Sequence, residues 1–369
     1  MKIALVHDHL NQLGGAERVL KAFCELYPES PVYTLIYDEK NTHFLFKDHK
    51  IIESFIARFP WARKKFRWYL PLMVAATESY DLSGYDVVLS DSSGLAKGVV
   101  TGPKTLHICY CHTPTRYLWS DHNIVIDSLE KNWFVGRLSQ LYRSYLRVWD
   151  RQAADRVDYF IANSKFVSLR IKKYYKRDSI IIHPPVETKN FYISEDIGNY
   201  FLLISRLRPY KKVDLAVKAF NRLSLPLKII GIGEEQENIK KIAKPNIEFL
   251  GQLNDTEVRK LLSHCRALIH PQEEDFGITP IEAMASGRPV IAYAAGGALE
   301  SIMPEKTGVF FDEQSWEALA DKVIRFKSEQ YNPEEIRKHA LNFDTIHFKH
   351  KIMDFVDKCW QDFKKEYNK

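Results

Sequence analysis

The sequence predicts an α/β protein made of two doubly wound parallel sheets, and three observations carry that prediction. Apolar runs of about four to six residues alternate with helix-length segments from end to end, the pattern of strands and helices that bury both faces of a parallel sheet. A length of 369 residues is enough for two domains of ordinary size. The paired prolines of His183-Pro184-Pro185-Val186, with a polar stretch to Asn199 behind them, end one series of strands before the next begins.

In the first half, strands are expected at residues 2–6, 32–36, 86–90, 105–110, 158–162 and 180–182. In the second half they are expected at 200–204, 227–230, 247–250, 267–270, 289–293 and 308–311. A long helix is expected over 128–155, because Phe134, Leu138, Leu141, Tyr145 and Val148 recur at helical spacing. A last helix, 345–365, carries Ile352, Phe355, Val356, Cys359, Trp360 and Phe363 on one stripe. Such a stripe needs a surface to cover it, and a return onto the first domain would supply one.

Composition narrows the class. With 45% hydrophobic and 27% charged residues, the chain reads as soluble and globular. No apolar run approaches the roughly eighteen residues of a membrane span. The opening MKIALVHDHL has one lysine and an apolar run broken by His7 and Asp8, which suits a first strand better than a signal peptide. A cytoplasmic protein is expected. The five cysteines show no paired spacing of a zinc site, and Cys109 and Cys111 alternate around Tyr110, so reduced core thiols and no bound metal are expected. A net charge of +6 and a pI near 8.8 fit an anionic substrate or membrane surface and are too weak to imply nucleic acid. Residues 55–72, FIARFPWARKKFRWYLPL, interleave five basic residues with Trp61, Phe66, Trp68 and Tyr69. That mixture suits a membrane interface or an acceptor, although Pro60 interrupts any long amphipathic helix.

The chemistry concentrates in residues 271–287, PQEEDFGITPIEAMASG, between two expected strands. Pro280 suits a first helical turn, Gly287 the stop after the helix, and Gly277 a backbone shape other residues resist. The amides of Gly277, Ile278 and Thr279 then stand at a helix N-terminus, where phosphate binds readily. Glu274 in the loop and Glu282 in the helix can each accept two hydrogen bonds from a vicinal diol.

Four more clusters follow strands on the carboxyl side, where open parallel sheets bind ligands. Gly14 and Gly15 open a helix after the first strand and can admit a phosphate to the backbone. His112 in YCHTPTRYLW can reach a sugar hydroxyl. Arg206 and Lys211 in SRLRPYKKVD pair a planar fork of donors with a compact charge, as a diphosphate needs. Gly231 in GIGEE leaves room for a base or ribose, and the full dinucleotide fingerprint of a nicotinamide enzyme is lacking.

Arg206 and Lys211, then Glu274 and Glu282 inside EDFGITPIEAMASGRPVIA, resemble glycosyltransferase family 4 over nearly the whole chain, GGAER and HPPVE included. The resemblance implies the GT-B fold: two Rossmann-like domains facing a central cleft. Residues 1–190 would bind the acceptor, 191–344 would bind the nucleotide-sugar donor, and 345–369 would form the helix that crosses back to the first domain. It also implies that Arg206 and Lys211 hold the diphosphate, Glu282 the ribose, and Glu274 the donor sugar with amides of 277–279. His112 would meet the sugar near its 6-hydroxyl, and Gly15 would approach the phosphates. Family members retain the anomeric configuration and need no metal or other cofactor. YCHTPTRYLW and HPPVE look most like bacterial mannosyltransferases that use GDP-mannose to build surface polysaccharide, including lipopolysaccharide. A lipid-linked or surface glycan is then the expected acceptor, with peripheral membrane contact through 55–72. A UDP-sugar donor, a non-catalytic homologue and a glycoside hydrolase using Glu274 and Glu282 are the alternatives. The hydrolase leaves Arg206 and Lys211 without a role. The doubled Glu273-Glu274 leaves open which carboxylate meets the sugar.

Overall fold

The computed structural model describes residues 1–120 and 133–367. The chain forms two compact units, Met1–Pro185 together with Phe348–Lys369, and Val186–His347. The division therefore falls inside the proline motif, ahead of the limit expected at 190. Val186 already belongs to the second unit because its N–H donates to Phe343 O at 3.0 Å and its own carbonyl accepts from Thr345 N at 3.1 Å.

In the first unit the strands are β1 (Ile3–His7), β2 (Val32–Thr34), β3 (Ile51–Glu53), β4 (Val87–Ser92), β5 (Leu106–Cys111), β6 (Tyr159–Ala162) and β7 (Ser179–Ile181). They form one parallel sheet in the order β3-β2-β1-β4-β5-β6-β7. Strands β1, β4 and β5 are buried throughout, as strands covered on both faces must be. Strand β3 was not expected from the sequence. It is three half-buried residues at the sheet edge, too short an apolar run to stand out.

The second unit holds β8 (Phe201–Ile204), β9 (Leu227–Ile230), β10 (Ile247–Gly251), β11 (Leu268–His270), β12 (Val290–Tyr293) and β13 (Gly308–Phe311), in the order β10-β9-β8-β11-β12-β13. Each sheet reverses its strand order beside its first strand, between β1 and β4 and between β8 and β11. Loops leaving the carboxyl ends diverge at such a switch point, and a ligand can enter between them.

The last helix, Thr345–Tyr367, joins the first unit from Phe348 onward. Phe348, Ile352, Val356 and Cys359 are buried with Leu5, Phe23 and Ile108, and the Phe348 ring lies 5.8 Å from those of Phe23 and Tyr110. Each such side chain contributes about 1.5–3 kcal/mol on burial, enough to fix where this helix packs.

The long helix is described from Trp133 to Asp155, and its expected start at Ser128 and the side chains of Phe134 and Leu138 lie outside the described residues. The apolar row that marked the helix is not its buried face. Leu141, Tyr145 and Val148 are exposed, whereas Leu146, Trp149 and Ala153 are buried. Two apolar rows share the same spacing on this helix, so periodicity finds the helix without finding its phase. What settles the phase is polar: Asp150, fully buried, accepts from Lys97 Nζ at 2.6 Å, Thr115 Oγ1 at 2.7 Å, and Tyr175 Oη and Trp119 Nε1 at 2.8 Å each. A buried carboxylate needs such a full set of donors.

All five cysteines are free and buried. No helix among the described residues is long and apolar enough to cross a membrane.

Candidate active site

In the second unit two of the charged residues expected from the sequence, Lys211 and Glu274, meet at the switch point. Lys211 follows β8, in the short helical turn Pro209–Lys211, and Glu274 follows β11. Lys211 Nζ is hydrogen-bonded to Glu274 Oε1. The same oxygen accepts from Gln272 Nε2 at 3.0 Å, and that amide nitrogen also reaches His270 Nδ1 at 3.2 Å. Oε2 of Glu274 has no partner among the described residues. Burial disfavours the charged carboxylate, but Lys211, His270 and Gln272 outweigh it and hold Glu274 at about 2. Burial pushes His270 down to about 4, with Glu274 opposing and Lys211 reinforcing, so the ring is neutral near pH 7. With an amide donating to Nδ1, the proton of that neutral ring sits on Nε2.

The backbone of this loop is clamped. Gly297 N donates to Glu274 O at 2.9 Å, and a Cβ on Gly296 would lie 2.2 Å from that carbonyl oxygen. Glu273 is exposed, so of the doubled pair it is Glu274 that Lys211 engages. The helix Ile278–Ala285 follows, with Gly277 as its N-cap at φ +88°, a region side chains avoid. Glycine has no side chain to cap with, so the first amides, at Ile278 and Thr279, meet no N-cap group. Glu282 is buried in that helix. Arg206 is exposed two residues past the end of β8 and makes no side-chain hydrogen bond or ion pair among the described residues. The glycines of GIGEE have a structural reason that the sequence did not reveal. A Cβ on Gly231 would lie 1.9 Å from Ser205 O, and one on Gly233 2.2 Å from Leu207 O, so the two loops after β8 and β9 pack backbone to backbone.

In the first unit Gly14 is the extended N-cap of the helix Gly15–Leu26 and Gly15 is its exposed first residue. His112 follows β5, and its Nε2 is hydrogen-bonded to Oδ1 of Asp91. The other Asp91 oxygen bonds His7 Nδ1 at 2.9 Å, across the registered pair His7 and Asp91 of β1 and β4. His7 Nε2 in turn lies 3.8 Å from Glu17 Oε1. Burial disfavours a charged His7, but its hydrogen bond to Asp91 and the nearby carboxylate of Glu17 outweigh burial and raise it to about 10. Asp91 and Glu17 are held below the usual carboxylate range against their own burial, Asp91 by His112 and His7 and Glu17 by His7. Among the described residues no three His, Cys, Asp or Glu side chains are grouped as a metal-ligand set.

Two family models match the chain in succession: "Glycosyltransferase Family 4" over residues 13–190 and "Glycosyl transferases group 1" over residues 186–343. The chain is a family 4 glycosyltransferase. It is 26% identical over 377 residues to the alpha-1,3/1,6-mannosyltransferase of Dictyostelium discoideum, covering 84% of this chain and 85% of that one. It is 28% identical over 217 residues to the O-antigen chain mannosyltransferase of Salmonella typhimurium, a match that covers 52% of this chain and only 60% of that relative's length. Among solved structures, the Anabaena protein HepE in complex with UDP superposes with a TM-score of 0.74 at 18% identity, over 97% of this chain and 100% of that one. That likeness is one of fold, and the two Rossmann-like domains of this glycosyltransferase are those of the GT-B class.

Several of the enzyme's clustered residues were not singled out in the sequence: His270 and Gln272 in the second unit, and His7, Glu17 and Asp91 in the first. His7 and Asp91 did carry a signal. A polar residue at the end of a strand buried on both faces needs a partner, and HDHL and LSDS each offer one.

Proposed function

We propose that the chain transfers a mannosyl group from GDP-mannose to a hydroxyl of a lipid-linked or surface-glycan acceptor, with retention of configuration and without a bound metal ion. One observation carries this reading. At the second unit's switch point, Lys211 and the start of the helix Ile278–Ala285 offer positive charge to a diphosphate, while Glu274 keeps one oxygen open for a sugar hydroxyl. The mannosyl group is supported by the two mannosyltransferase relatives, and the guanine nucleotide by the YCHTPTRYLW and HPPVE motifs.

Breaking the bond between the anomeric carbon and phosphate sends the electron pair to the departing diphosphate. Arg206, Lys211 and the amides of 277–279 stabilise that charge, each donor contributing about 3–4 kcal/mol. The acceptor hydroxyl attacks from the side the leaving group vacates, and its proton passes to a departing phosphate oxygen. Glu282 binds the ribose hydroxyls and Gly231 borders the nucleoside. In the first unit, His112 binds a hydroxyl of the transferred sugar, and Gly14 and Gly15 admit phosphate at a helix start. Residues 55–72 hold the enzyme to anionic lipid at the inner face of the membrane. There Trp61 and Trp68 are 66% and 63% exposed, and Lys65 Nζ lies 4.1 Å from the Trp68 ring centroid. Replacing Lys64 and Lys65 by serine should abolish sedimentation with phosphatidylglycerol vesicles, and unchanged sedimentation would remove this surface from the account.

Thermal unfolding with GDP, GDP-mannose, UDP and UDP-glucose tests the donor. Ligand at about a hundred times its Kd adds about 2.7 kcal/mol, and the guanine pair alone should give that shift. A shift with the uracil pair alone would replace GDP-mannose with a UDP-sugar, and no shift at all would remove the donor site. Turnover should survive EDTA, and a strict magnesium requirement would contradict the metal-free step.

A further inference from the structure

Behind His112 lies a buried chain of charged groups that the proposed reaction does not use. Asp91 is the penultimate residue of β4 and is fully buried, yet each of its oxygens carries an imidazole, His112 on one side and His7 on the other. His7 is itself 4% exposed and has Glu17, 2% exposed, at its far nitrogen. The four groups come from the carboxyl end of β1, the first turn of the following helix, the end of β4 and the loop after β5. They therefore gather at the switch point of the first sheet.

A clamp between strands would be the plain explanation. It accounts poorly for His112, because β1, β4 and β5 are already joined by five and six registered pairs. His112 lies past the last of those pairs, its ring is partly exposed at 12%, and its Nδ1 has no partner among the described residues. A carboxylate only accepts, so Nε2 of His112 must be the donor and Nδ1 is the atom left facing outward. The tautomer is thus chosen by Asp91, which His112 and then His7 hold below the usual carboxylate range, with Glu17 3.8 Å beyond the far nitrogen of His7.

We propose that Asp91, backed by His7 and Glu17, is a positioning residue for His112, fixing its ring and its tautomer so that Nδ1 meets the sugar hydroxyl. The proposal rests on the reading of His112 as a sugar contact. The side chain acts through His112 and touches no substrate itself.

The test uses the full chain with GDP-mannose as the probe, reading its hydrolysis alongside GDP affinity by calorimetry. His112→Ala and Asp91→Asn should each lower kcat at least about tenfold, as loss of an aspartate that holds a histidine tautomer does, with GDP affinity unchanged. The double variant should be no slower than His112→Ala alone, within about twofold, because the two side chains act as one unit. Losses that multiply, or an Asp91→Asn enzyme with normal turnover beside an impaired His112→Ala, would overturn the proposal. The imidazole nitrogen spectrum of the unaltered protein supplies a reading that needs neither activity nor a stable variant. His112 should show its proton on Nε2, and a proton on Nδ1 alone overturns the positioning role of Asp91. If His112→Ala keeps normal turnover, the sugar contact fails. The spectrum of Asp91→Asn then decides the positioning of the His112 ring alone: a changed ring signal keeps it and an unchanged one ends it.

Discussion

Glu274 and Asp91 are both carboxylates at the switch point of a parallel sheet, and they are built in opposite ways. Asp91 is fully buried with both oxygens taken by imidazoles. Glu274 has a side chain 27% exposed, spends one oxygen on Lys211 and Gln272, and leaves the other open. The difference separates two kinds of work. A closed carboxylate can only orient what is already bonded to it, whereas an open one beside a lysine and a helix start can receive a ligand.

The largest effect should come from the open cluster. Glu274→Ala should cost about a hundredfold in GDP-mannose hydrolysis, the order expected for a preorganised group acting on the reacting sugar, while leaving GDP affinity nearly intact. A fully active variant would break the distinction between open and closed sites. Gln272→Leu comes next, at about tenfold, for loss of a hydrogen bond to a charged group worth about 1.5–3 kcal/mol. Because Gln272 helps hold Glu274 at about 2, removing it raises that value, and activity should fail at higher pH on acidification than in the unaltered enzyme. A pH profile that stays in place would show that Gln272 does not tune the carboxylate.

The closed cluster should appear in stability. His7 is raised from 6.5 to about 10, so its contribution is full below pH 6.5 and lost as pH climbs through 10. Thermal unfolding should therefore weaken across that window, and His7→Gln should flatten the dependence. A slope that persists in His7→Gln would assign the loss to other groups. The smallest effect is expected at Gly277→Ala, about 1 kcal/mol from forcing a side chain to φ +88°, read by denaturant unfolding. No loss there would mean the helix start readjusts without strain.

The two clusters also differ in how legible they were. Around Glu274 most of the residues lie within one short stretch, and proline, glycine and acid there each state a local rule, so the loop, the helix start and the lysine five residues after Arg206 could all be read. Around Asp91 the partners stand at positions 7, 17 and 112, brought together only by strand order, which no local pattern encodes. The packing reason for Gly231 was hidden in the same way, since the bare backbone it needs is set by Ser205 on a neighbouring strand's loop. The helix ending at Asp155 was found without its facing, because a buried ion pair with Lys97 chose among apolar rows that periodicity cannot rank.

The central claim is that Lys211, beside Glu274 and the helix start, holds the departing diphosphate. Calorimetric titration of GDP into the unaltered protein and into Lys211→Ala tests it most directly. The account expects affinity to fall about tenfold or more, as loss of a charge-assisted contact requires. Equal affinity in the two proteins would contradict it.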